Sequence, residues 1–90
     1  MPVKVIIPGS LSDWFSGRDE AQCRGNTLVE CLDDLERQFP GLKEKLIGDD
    51  PEIPRVLIFV NGENTRTLDG LNTRVRDGDE VGIIPLAAGG

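Results

Sequence analysis

The chain closes on Leu86-Ala87-Ala88-Gly89-Gly90, and the chemistry it suggests is that of its own terminal carboxylate. A carboxylate is a poor electrophile at neutral pH, because attack must expel an oxide-like leaving group. Adenylation by ATP supplies a good leaving group, and a sulfur nucleophile can then displace AMP to leave a thiocarboxylate. Entry into a buried ATP site calls for a thin, extended peptide. Glycine suits its end, since without a Cβ the carbonyl is open on both sides and the backbone is freer. Gly90 is therefore the candidate reacting residue and Gly89 its companion. Leu86, Ala87 and Ala88 are the residues a partner's channel would hold. Five residues extend over about 15–18 Å. The plain alternative is a frayed terminus, and a Gly-Gly pair alone is a weak signal.

Few other residues offer chemistry. Histidine is absent, and Cys23 and Cys31 form no C-x-x-C pair. These facts remove the usual zinc sites and every nucleophile–histidine arrangement, so no metal is expected. Cys31 falls on the apolar stripe of a predicted helix and is expected to be a small buried hydrophobe. Cys23 is expected to be partly exposed, which leaves a reactive thiol open. The chain is not read as an enzyme in its own right.

Ninety residues make one domain, read as 1–85 with a flexible tail at 86–90. The net charge of −6, from 16 acidic and 10 basic residues, disfavours nucleic acid, which needs a basic face. It suits steering towards a basic protein partner, or simple solubility. No apolar run is long enough to span a bilayer, so no membrane association is expected. The N-terminus opens on a strand rather than a signal sequence, so a cytoplasmic location is expected.

The elements that must position the tail follow from local patterns. Val3-Lys4-Val5-Ile6-Ile7 reads as a strand ended by Pro8-Gly9. A polar connection over 10–17 carries Trp14 and Phe15, expected to close the end of the core, with a contact surface as the alternative. A weak strand over 18–23 should pair back on the first. Thr27-Leu28-Val29-Glu30 fits a capping box, with Asn26 as an alternative cap. Leu28, Leu32, Leu35 and Phe39 then recur at helical spacing. Pro40-Gly41 ends this helix, and Leu42 and Leu46 should pack a short turn against the core. Residues 49–54 are too polar and proline-rich for regular structure. Val56-Leu57-Ile58-Phe59-Val60 is the strongest strand, and Asn61-Gly62 is a preferred hairpin turn. A return strand over 63–67 and a last strand over 80–85 complete the order.

Strand, strand, helix, strand, short strand, strand implies an α+β fold with a mixed sheet of four to five strands and one main helix across one face. The first and last strands lie side by side and parallel at the centre. That is the β-grasp arrangement of ubiquitin. A ferredoxin-like sandwich is the alternative, but it wants a second full helix.

The run Asp77-Gly78-Asp79-Glu80-Val81-Gly82-Ile83-Ile84-Pro85-Leu86-Ala87-Ala88-Gly89-Gly90 resembles the C-terminal signature of the MoaD/ThiS sulfur carriers. Ile7-Pro8, Gly25-Asn26-Thr27-Leu28 and Phe59-Val60-Asn61-Gly62 extend the resemblance over nearly the whole chain. Asp34-Leu35-Glu36, then Phe39-Pro40-Gly41-Leu42, look most like the carriers for cysteine or homocysteine synthesis. Asn64 stands where molybdopterin-type carriers have an apolar contact residue, which argues against that subtype. The resemblance implies an adenylating partner of the ubiquitin-activating type that uses ATP, a sulfur donor and a sulfur-accepting synthase. For an amino-acid carrier it adds a zinc-dependent peptidase that releases the product. No cofactor is expected on the chain itself. The alternatives are the small subunit of molybdopterin synthase, a ubiquitin-like modifier joined to lysines through Gly90, and an interaction domain that never uses its terminus.

Strand alternation assigns the faces. If Val3, Val5, Ile7, Ile58, Val60, Val81 and Ile83 face the helix, then Ile6, Phe59 and Ile84 share the open face as a docking patch near the tail. Scattered surface hydrophobes are the plain alternative. Arg66, Arg74 and Arg76 are read as solvated charges, with the rim of that face as the other option.

Overall fold

The computed structural model describes residues 2–48 and 55–86. The loop expected at 49–54 and tail residues 87–90 lie outside the described residues. β1 (Val3–Ile6) runs antiparallel to β2 (Glu20–Cys23) and parallel to β5 (Glu80–Pro85). β5 also pairs antiparallel with β3 (Val56–Val60), which pairs with β4 (Glu63–Asn64). The strand order is β2-β1-β5-β3-β4, so the first and last strands meet at the centre of a mixed five-stranded sheet, as the element order implies. α1 (Leu28–Gln38) and α2 (Leu42–Ile47) follow β2 in the chain. α2 has only six residues, so among the described residues the second full helix of a ferredoxin-like sandwich is missing.

Every strand residue assigned to the helix side is buried. Val5 lies opposite Val81, and Ile58 opposite Ile83. Leu28, Leu32 and Leu35 of α1 are buried in the same cluster, and so is Phe39 just beyond its last turn. Each such side chain contributes about 1.5–3 kcal/mol when fully withdrawn from water. The cap is Thr27, whose Oγ1 accepts from the Glu30 N–H at 3.3 Å. The Glu30 carboxylate reaches back to the Asn26 N–H at 2.9 Å, one residue before the cap.

Three segments differ from the sequence reading. The connection after Pro8 is a 3-10 helix, Gly9–Phe15, which buries Leu11 and Phe15 and leaves Trp14 half-buried against the core. Phe15 meets Phe39 edge-on, with ring centroids 5.3 Å apart. The return strand after Asn61-Gly62 has two residues, not five. Asn64 Oδ1 accepts from the Arg66 N–H at 3.0 Å, Thr67 Oγ1 donates to the Asn64 carbonyl at 2.7 Å, and Thr65 Oγ1 donates to the Ile58 carbonyl at 2.9 Å. These side-chain bonds satisfy the backbone locally and turn it into a 3-10 helix, Thr65–Thr67.

The third difference is that Leu42 and Leu46 sit on a helix rather than a turn. Its N-cap, Gly41, has no side chain to cap with, and Glu36 of α1 does that work. Its two oxygens accept from the Gly41 N–H at 2.7 Å and the Lys43 N–H at 2.8 Å. Those bonds, Gly41 first, hold the Glu36 carboxyl below its ordinary value. A carboxylate with a depressed folded-state pKa stabilises above its unfolded value of about 4.3 and loses that contribution as pH falls through the folded value. Glu36→Gln should therefore flatten the acid branch of the stability curve below about pH 4.3 in urea titrations. Gly25 is needed for another reason: a Cβ there would lie 2.7 Å from Glu30 Cβ and 2.8 Å from the Cys31 nitrogen. Gly25→Ala should cost about 1–3 kcal/mol of unfolding free energy by the same measurement.

Candidate functional site

The strand that leads into the tail is fixed at both ends. At its start, the Asn61 N–H donates to the Glu80 carbonyl at 2.8 Å, and Asn61 Oδ1 accepts from the Glu80 N–H at 3.0 Å. Asn61 Nδ2 also donates to Asp79 Oδ1 at 3.0 Å. Asn61 does more than supply the left-handed backbone of the turn (φ 50°), a second role that turn statistics do not reveal. At the other end, the Leu86 N–H donates to the Arg55 carbonyl at 3.1 Å.

That last bond explains the proline. Antiparallel ladders alternate hydrogen-bonded and non-bonded pairs. Leu86 bonds Arg55, so the adjoining pair Pro85 and Val56 is of the non-bonded kind. The proline nitrogen faces the β1 side, where the pairing register has already ended at Ile6 and Gly82. Pro85 therefore removes no ladder bond, and the strand runs through it. Four residues follow Leu86 in the sequence. Ala87, Ala88, Gly89 and Gly90 lie outside the described residues.

The open face carries the expected apolar residues. Ile6 is 36% exposed, Ile84 48%, and Phe59 is half-buried. The register sets Ile6 and Phe59 on either side of Gly82, and Ile84 beside Leu57, one step nearer the tail. Leu57 shares the parity of Phe59, and the sequence reading passed over it although alternation within β3 places it there. Leu86 is half-buried at the root of the tail. Lys4 and Glu20 form an exposed pair at 3.3 Å on the β2 side of this face, of a kind that contributes little. Asn64 lies opposite Phe59 at the sheet edge.

The arginines belong elsewhere. Arg74 bridges to Thr27 at the start of α1, and Arg74 and Arg76 line a hollow with Asn26 and Asn72. Arg66 lines an apolar hollow of about 220 Å³ with helix-facing Val56 and Ile58. The rim option is thus not what the structure shows. Nor is Cys23 partly exposed: it points inward opposite Val3, and both cysteines are about 1% accessible. The hydrogen bond to Cys31, followed by burial, pushes the Cys23 thiol up and keeps it neutral. Among the described residues no cluster of histidine, cysteine, aspartate or glutamate is arranged to hold a metal ion. No described helix is long and apolar enough to cross a membrane.

Comparison with known proteins matches residues 5–90 to the ThiS family, a stretch that includes both terminal glycines. The chain belongs to the ThiS family. It is 39% identical over 95 residues to the sulfur carrier protein CysO of Mycobacterium tuberculosis, covering the whole of both chains. It is 39% identical over 84 residues to the small archaeal modifier protein 3 of Haloferax volcanii, covering 93% of this chain and 86% of that one. A chain of the crystal structure of the Amycolatopsis orientalis BexX/CysO complex superimposes with a TM-score of 0.88 at 34% identity, covering 98% of this chain and 99% of that one. The β-grasp assignment rests on such neighbours and on the strand order.

In this ThiS-family chain the buried thiols are structural. A disulfide reagent should leave both unreacted in the native protein and titrate both in denaturant. Rapid native reaction at Cys23 would contradict the burial described above.

Proposed function

We infer that this chain is a sulfur carrier protein whose Gly90 carboxylate is adenylated by a ubiquitin-activating-type enzyme, using that enzyme's ATP, and converted to a thiocarboxylate. One observation carries the inference: the family match runs through Gly90 and the identity to CysO covers both chains end to end. The anchored strand supports it, because β5 is held by hydrogen bonds up to Leu86 and Gly90 lies four residues beyond it. The extended reach of those residues is about 13–14 Å. An enzyme that reacts with Gly90 must therefore come close to the body of the sheet. Ile6, Phe59 and Ile84, with Leu57, form the docking patch for it, and Leu86, Ala87 and Ala88 enter its channel. The chain serves as a protein co-substrate, and a sulfur donor and a sulfur-accepting synthase complete the cycle. Cysteine or homocysteine is the product class, and a zinc-dependent peptidase releases it from Gly90.

A second reading has its own support. The identity to small archaeal modifier protein 3 favours conjugation of Gly90 to lysines of other proteins, by the same activation. The complex of subunits 1 and 2 of the Helicobacter pylori molybdopterin-converting factor is also a structural neighbour, at 28% identity and a TM-score of 0.62.

Intact mass spectrometry of the protein from its own cells separates these. An oxygen-to-sulfur exchange at the terminus, or an added cysteine or homocysteine, supports the carrier. Gly-Gly remnants on lysines of other proteins support the modifier. Deleting Gly89 and Gly90 should leave the melting temperature unchanged and abolish activation, and full activity of the truncated chain would refute both readings.

A further inference from the structure

Gly82 occupies the middle of the central strand, and nothing in the fold asks for a glycine there. Val81 and Ile83 on either side of it are buried, so position 82 faces outward by alternation. Its φ is not in the left-handed region, and an added Cβ would have no heavy atom within 4 Å. The register from Val56 opposite Pro85 to Val60 opposite Val81 runs without a skipped residue, so there is no bulge to accommodate. Glycine inside a strand forfeits side-chain packing and adds unfolded-state entropy. With no bulge in the register and no steric conflict at the position, the close approach of another molecule is the use of a strand glycine that fits here.

The neighbours say what kind of group approaches. Across the sheet, Ile6 flanks Gly82 from β1 and Phe59 flanks it from β3. Ile84, the most exposed large apolar side chain of the sheet, follows it along β5 towards the tail. The result is a notch with apolar walls and a bare backbone floor. Charge beside the notch is largely compensated: Glu20, next to Ile6, pairs with Lys4 at 3.3 Å, and Lys4 also lies opposite Glu80.

We propose that Gly82 is a specificity-determining notch that receives an apolar side chain of the enzyme that activates Gly90. The proposal rests on the carrier reading, because that reading supplies the occupant. β5 carries both notch and tail, Gly82 lies three residues before Pro85, and the tail's short reach brings any enzyme holding Gly90 near this face. A buried apolar contact at this point tells the enzyme's partner from other small acidic domains.

The test uses the full-length chain and the adenylating enzyme of the same organism, with carrier-dependent ATP–pyrophosphate exchange as the readout. Gly82→Ala and Gly82→Val both suit an outward-facing strand position, so both should melt at or above the wild-type temperature. The Michaelis constant for the carrier should rise a few-fold for Ala and about tenfold or more for Val, with kcat little changed, because filling the notch is an overpacking defect of the complex alone. A Gly82→Val chain that is activated with the wild-type Michaelis constant overturns the notch and leaves the carrier reading standing. A wild-type chain that the enzyme does not activate overturns the carrier reading and removes the occupant with it. A wild-type dimer in solution that Gly82→Val disrupts would place a second copy in the notch and overturn its assignment to the enzyme.

Discussion

The parallel pairing of β1 with β5 holds this structure together. Lys4 lies opposite Glu80, and Val5 opposite Val81, so nearly the whole chain must close into a loop before the sheet has a centre. Loop closure grows only slowly more costly with length, but the contacts that offset it arrive only once β5 is in place. When β5 docks it gains hydrogen-bonded neighbours on both sides and buries Val81 and Ile83 beneath α1. The helix, β2 and the β3–β4 hairpin are each local. They become one core because β5 lies between β1 and β3.

The same strand joins the core to the functional end. Its inward residues pack and its outward residues, Gly82 and Ile84, form the open face. A slip of one position would exchange the two sets. Register is held where a slip would start, by Asn61 and Asp79 at the beginning of the strand and by Arg55 and Leu86 at its end. Pro85 sits in the one ladder phase that tolerates it. Covalent continuity then delivers residues 87–90 from a rigid root. Buried core residues and the open apolar face thus share a single element.

Much of the fold was legible because its signals are local. Thr27 and Glu30 announce the helix start, the leucine stripe its buried face, Asn61-Gly62 the hairpin, and the alternation in β1, β3 and β5 the two sheet faces. What stayed hidden depends on partners distant in sequence or on competition for the same backbone groups. Cys23 is buried because Cys31 of α1 covers it, a contact between residues on different elements. α2 forms because Glu36, on the preceding helix, caps it. β4 stops after Asn64 because Asn64, Thr65 and Thr67 satisfy the backbone in a turn, whereas their β-branched threonines alone favour a strand.

By itself the sequence determined the main helix, the principal strands, the parity of β1, β3 and β5, the Gly-Gly pair and its family, since periodicity, capping chemistry and motif are properties of neighbouring residues. Tertiary structure alone decided which neighbours share a row. It placed Ile6 and Phe59 around Gly82, set Leu57 beside Ile84, moved Arg66 and Arg74 to the helix side, and carried the ladder through Pro85 to Leu86. These are facts of register between strands far apart in the chain, and register is fixed by the packing of the whole sheet against its helix rather than by any local run of residues.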